Sequence, residues 1–210
     1  MDRLPLDSPA TAPDKAGTTT LPAVEPCPPP NPFREDANGI VALSSQGLAA
    51  LREGRLDEAI QHLEESLTGG NAHASFDDAV RDLPHDLLGT VPAGLPYSIW
   101  QLVEHIRITQ WDILEFSRNP HHVSPHWPDD YWPQQKAPAK SDDWKRSLGQ
   151  IAADRKAFIS LLHKAGEDIY TPFPHGDGQS LFREAVLIVD HTSYHTGEII
   201  VLRRLLKSWK

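Results

Sequence analysis

In the segment FREAVLIVDHTSYHTGEIIVLRRLL, residues Ile188, His191, His195, Ile199, Leu202 and Leu206 follow one another at steps of three or four. Such steps place all six on one face of an α-helix, which then needs other apolar surfaces to cover it. The stripe is apolar except for its two imidazoles. Burying a large aliphatic side chain contributes roughly 1.5–3 kcal/mol, so each core-facing histidine forgoes that gain. It must also satisfy its ring nitrogens away from water. A divalent metal held by neutral imidazoles is the commonest compensation, and the i, i+4 spacing aims both rings at one point.

The same period recurs upstream, and no alternating pattern competes with it. Leu56, Ile60, Leu63 and Leu67 predict a helix over 56–67, broken by Thr68, Gly69 and Gly70. His73, Phe76, Val80 and Leu83 predict a short helix over 72–83, which Pro84 helps to end. From Tyr97 to Arg118, the residues Ile99, Leu102, Ile106, Thr109, Ile113 and Phe116 form a longer stripe with His105 on its edge. Ser141 reads as an N-cap, with Asp142 and Asp143 in the first turn of a helix that stops at Gly166. Its buried face carries Trp144, Leu148, Ile151, Phe158 and Leu162. The last helix is expected over 180–207. Between the two middle helices, NPHHVSPHWPDDYWPQQKAPAK is too rich in proline for a helix, and so long a connection is usually functional or a lid. The class is therefore all-α, and the elements fit a four-helix bundle, whose metal and ligand sites are built from inward-facing side chains.

Composition narrows the function. Residues 1–40 are rich in Pro, Thr, Ala and Asp, as in LPAVEPCPPPNP, with too few large apolar side chains to bury. They read as a disordered tail, which leaves 41–210 as one domain. The N-terminus lacks a basic start followed by an apolar run, so a cytoplasmic location is expected. No stretch approaches the roughly 20 apolar residues of a membrane span. The single cysteine, Cys27, lies in the tail, so neither a disulfide framework nor a cysteine-based zinc site can be built. Histidines and carboxylates are the ligands on offer. A net charge of −9 speaks against a general nucleic-acid binder. The cations Arg203, Arg204, Lys207 and Lys210 read as complements to the dipole at a helix C-terminus.

Three histidines stand where a bundle could converge them: His105 on one long helix, His191 and His195 on another. Three protein ligands leave a coordination position open for water or substrate, the pattern of a catalytic metal. His73, at the seam of the short helix, reads as a partly buried histidine ahead of an additional ligand or a hydrogen-bond partner for substrate. His121, His122 and His126, beside Trp127, Asp129, Asp130, Tyr131 and Trp132, read as solvent-facing or as part of a lid. His62, His85, His163 and His175 show no partner pattern and read as surface residues. Glu198, one turn beyond His195, is a candidate to accept a ligand's other N–H, ahead of Asp190 and Glu104. Tyr194 reads as a packing aromatic with its hydroxyl in water, ahead of a hydrogen-bond partner for substrate.

The combination of WQLVEHIRITQWDILEF with DHTSYHTGEIIVLRRLL resembles the DinB/YfiT-like family of metalloenzymes over roughly residues 56 to 210. The run from Gly197 to Leu205, with its paired arginines, is similar to that family's C-terminal signature. The resemblance implies a four-helix bundle with an unusual connection order. It also implies a divalent metal, such as Zn, Ni, Fe or Mn, on a triad that maps to His105, His191 and His195. Several relatives resemble transferases or isomerases that use a low-molecular-weight thiol, which makes thiol S-transfer onto a small-molecule substrate the leading expectation. Metal-assisted hydrolysis is the close alternative. A third reading is a non-enzymatic bundle in which the metal is structural and the protein acts by binding partners. GLAALREGRLDEAIQHLEESL resembles one tetratricopeptide unit, but no second copy follows, so it reads as the bundle's first helix and its approach. An apolar helix face would suit a homodimer.

Overall fold

The computed structural model describes residues 53–69 and 72–209, so the expected tail over residues 1–40 lies outside the described residues. The described residues form five α-helices and no strand: α1 (Leu56–Thr68), α2 (Phe76–Val80), α3 (Ile99–Arg118), α4 (Asp143–Ala165) and α5 (Leu181–Leu205). None is long and apolar enough to cross a membrane.

The core has two parts, and their membership fixes the helix directions. At one end Ile113 and Leu114, late in α3, meet Phe158 and Leu162, late in α4, and Leu181, Ala185 and Ile188, early in α5; α1 adds Ile60 and Leu67. At the other end Ile99 to Ile106, early in α3, meet Ile151, early in α4, Ile199 and Leu202, late in α5, and Phe76 and Val80 of α2. Helices α3 and α4 therefore run parallel, and α5 runs antiparallel to both. Parallel neighbours need a connection that returns the length of the bundle, which is what residues 119–142 supply. His105, within the core-facing stretch of α3 that ends at Ile106, faces His191 and His195 in the middle of α5.

Local chemistry moved several boundaries. The short helix begins at Phe76, not at residue 72, because Ser75 and Asp78 close a capping box: the Ser75 hydroxyl accepts from the Asp78 amide and the Asp78 carboxylate accepts from the Ser75 amide. It ends at Val80 because Arg81 is extended and Asp82 takes a positive φ of 51°. His73 thus lies outside the helix and is exposed, with Nδ1 2.9 Å from the carbonyl of Ala74. Helix α4 begins at Asp143 with Asp142 at the cap position, in place of Ser141, and the Asp143 carboxylate accepts the Lys140 amide at 2.8 Å. Arg203 is the main departure among the C-terminal cations. It is buried, and it donates to the carbonyls of Ala79, Arg81 and Ser208 rather than facing solvent.

One buried carboxylate is under-satisfied. Asp154 on α4 accepts from Gln150 at 2.7 Å through Oδ1, while Oδ2 is buried with no hydrogen-bond partner among the described residues. Burial raises its pKa above the ordinary aspartate value, against smaller lowering contributions from Gln150 and Arg118. A folded-state pKa above the unfolded one favours the protonated form. The group is therefore harmless below the unfolded pKa of about 3.9 and costs stability as pH rises through the folded value. Asp154→Asn should stabilise the protein at pH 7 by on the order of 1 kcal/mol. That advantage should vanish near pH 3. Urea denaturation of both proteins across this range checks it; an advantage independent of pH would refute it.

Candidate metal centre

The structure brings His105, His191 and His195 together, with one nitrogen of each within 4.8 Å of the others. His105 is almost wholly buried, at 2 % exposure, in the middle of α3; His195 is buried and His191 half-buried, one turn apart on α5. The ring nitrogens are assigned by their partners. His105 Nδ1 lies 2.9 Å from the Tyr131 carbonyl oxygen, which can only accept, so Nδ1 carries the proton and Nε2 presents a lone pair. His195 Nδ1 lies 2.7 Å from Glu198 Oε2 and donates to it, which frees Nε2 in the same way. His191 Nε2 stands 3.0 Å from His105 Nε2. Two ligands of a tetrahedral ion with bonds of about 2.0–2.1 Å stand about 3.3 Å apart, so the three imidazoles suit a divalent ion in chemistry, and the His105–His191 pair suits it in spacing.

Burial favours the neutral form of His105 and His191, the form that ligates metals. It pushes the His191 pKa down to about 3, with the neighbouring imidazoles of His195 and His105 adding to the effect. It also lowers that of His105, outweighing the hydrogen bond to Tyr131.

Sequence reasoning found Glu198 but not what holds it. The Tyr97 hydroxyl donates a short hydrogen bond to Glu198 Oε1, so both carboxylate oxygens are committed, one to His195 and one to a phenol. Burial, and then Glu198, push the Tyr97 pKa up to about 12, which leaves it a donor at any ordinary pH. Trp132 stacks on His105 with centroids 4.0 Å apart and planes at 6°, and Tyr97 stacks behind Trp132 at 5.7 Å. Trp127 and Tyr194 complete an aromatic rim, about two-thirds exposed, beside His105 and His195. Tyr194 is thus an aromatic turned to water, as its position suggested. Glu104 instead pairs with Arg107, and Asp190 is exposed.

The proline-rich connection is a strap rather than a loose lid. It runs antiparallel to α3, and its carbonyls accept from that helix's side chains in sequence: Tyr131 from His105, Pro133 from Gln101 at 3.1 Å, and Lys136 from Ser98 at 2.5 Å. Beyond Lys136 it passes so close to Gly89 that a Cβ there would come within 2.4 Å of the Ala137 Cβ. None of its histidines joins the triad. His122 departs from the solvent-facing expectation: its ring is tucked in and Nε2 donates to Asp112 Oδ1 at 2.7 Å, while His121 and His126 are exposed. Of the remaining histidines, His163 meets Glu64 at 2.8 Å, His175 meets the Phe116 carbonyl at 2.9 Å, His62 is half-buried and His85 is exposed.

The DinB superfamily model matches residues 70–199, a span that contains all three histidines, the strap and most of α5. The chain belongs to the DinB superfamily. A search of curated proteins returned no match. Family membership agrees with the all-α bundle that the resemblance implied.

Proposed function

We propose that this DinB-like protein is a metal-dependent enzyme of the thiol S-transferase type, with a divalent ion such as Zn, Ni, Fe or Mn held by His105, His191 and His195. The observation that supports this reading is the arrangement of the imidazoles: Tyr131 and Glu198 occupy the Nδ1 atoms of His105 and His195, leaving their Nε2 lone pairs free, and His105 Nε2 stands 3.0 Å from His191 Nε2. A divalent ion on three neutral imidazoles keeps its positive charge and lowers the pKa of a thiol bound beside it. The rest of the site positions the reactants. Trp132 and Tyr97 fix the back wall, and Trp127 with Tyr194 offers an apolar rim on which a small electrophile can lie.

Glu198 separates this reading from metal-assisted hydrolysis. It is the one carboxylate that touches the triad among the described residues, and both its oxygens are engaged, so it is poorly placed to take a proton from water. A thiol needs less help, because its ordinary pKa is already near 8.5. The test is titration of the cobalt-substituted protein with 2-mercaptoethanol and with cysteine, followed by absorption spectroscopy. A thiolate-to-cobalt charge-transfer band is expected. No spectral change with either thiol would rule out S-transfer, and the same cobalt protein hydrolysing activated esters would favour the alternative.

A further inference from the structure

The strap does more than cover the site, because one of its residues is held to α3 at both ends. Asp112 lies seven residues beyond His105 on α3, two turns along and on the same face. It is buried, and each carboxylate oxygen receives one hydrogen bond from the strap: the Tyr131 hydroxyl donates to Oδ2 at 2.6 Å and His122 Nε2 donates to Oδ1 at 2.7 Å. The main chain of the same Tyr131 provides the carbonyl that accepts His105 Nδ1–H, and the next residue, Trp132, stacks on the His105 ring. Tyr131 therefore spans from Asp112 to His105, its ring end fixed by one and its carbonyl end facing the other. We propose that Asp112 is a positioning residue for the metal centre, setting the tautomer and ring orientation of His105 through Tyr131.

Two alternatives are weaker on the same observations. A carboxylate serving only to anchor a loop would need no link to a ligand, yet Tyr131 provides one directly. A second metal site at Asp112 and His122 fails because the His105, His191 and His195 group is the only three-residue donor cluster among the described residues.

The proposal rests on the metal reading only for its affinity arm; the tautomer arm uses the metal-free protein. Tyr131→Phe removes the hydroxyl and leaves the carbonyl in place, and Asp112→Asn is the second variant should either one fold poorly. Nitrogen-15 NMR of the metal-free protein reads the His105 tautomer. Wild type should show a fixed Nδ1–H form protected from exchange, and both variants should show mixed tautomers with the His195 signals unchanged. Zinc affinity should fall by roughly 10- to 100-fold, as it does for lost outer partners of metal ligands. Ser98→Ala, which removes the strap's bond at Lys136 and the α3 N-cap while leaving Tyr131 in place, is the control for a merely structural role and should leave both readouts at wild-type values. The proposal is overturned if folded Tyr131→Phe and Asp112→Asn keep the wild-type His105 spectrum, or if Ser98→Ala disturbs it equally. Wild type that takes up no zinc would defeat the metal reading, while the tautomer comparison would still decide the role of Asp112.

Discussion

On the proposed metal reading, changing His191 to alanine should abolish divalent-metal binding by the purified protein while leaving its helices folded. His191 is the cleanest of the three to remove: among the described residues it hydrogen-bonds only to His105, and as a half-buried side chain it leaves little unpaired behind. Two imidazoles then remain. The loss of affinity should exceed the roughly 10- to 100-fold that follows removal of an outer partner, because a direct ligand is gone. The same change at His105 or His195 should abolish binding too, but with a larger structural penalty. His105→Ala leaves the Tyr131 carbonyl without its donor and Trp132 stacked only on Tyr97. His195→Ala leaves Glu198 paired only with Tyr97. Elemental analysis reads the metal, and circular dichroism reads the helices. Near-stoichiometric metal persisting in all three variants would remove the triad from consideration.

The triad was legible because two of its members interrupt an otherwise apolar period, and interruption is visible in a single sequence. His105 was legible for a related reason, its place on the edge of a second such stripe. Glu198 followed from its position one turn beyond a ligand. What the sequence hid are the partners whose identity is positional. The group that orients His105 is a backbone carbonyl, which any residue could supply, and only the path of the strap along α3 makes it that of Tyr131. Tyr97 and Trp132 carry no periodic signal, since one precedes a helix and the other lies among prolines. Asp112 sits on a helix next to apolar residues, where a lone carboxylate reads as solvated until its two donors from the strap are seen. The start of α2 could have been read correctly: Ser75 with Asp78 three residues later is a capping box, and it overrides the apolar spacing that drew His73 into the helix.

Among the C-terminal cations, Arg203 should be the one whose loss unfolds the protein most readily, by about 3–5 kcal/mol for Arg203→Ala. Its guanidinium donates at 2.9 Å to both Ala79 and Arg81 carbonyls and at 2.7 Å to that of Ser208, and it lies 4.9 Å over the Trp209 ring. Ala79 and Arg81 form the C-terminal end of α2, where helix carbonyls lack internal partners. A five-residue helix is not stable by itself, so α2 stays folded by burying Phe76, Ala79 and Val80 against α5 and by this one arginine. Each buried carbonyl left unpaired costs roughly 1–3 kcal/mol. Arg203→Lys keeps a charge but replaces a planar fork with a point donor, so it should recover only part of the loss. Arg204→Ala, at an exposed position, should stay within about 0.5 kcal/mol of wild type. Urea midpoints of the three variants check the order. Equal effects at Arg203 and Arg204 would contradict it. Burial argues against a ligand-binding role for Arg203: it sits under α2 with its donors spent on carbonyls, on the opposite side of α5 from the exposed Tyr194 that borders the triad.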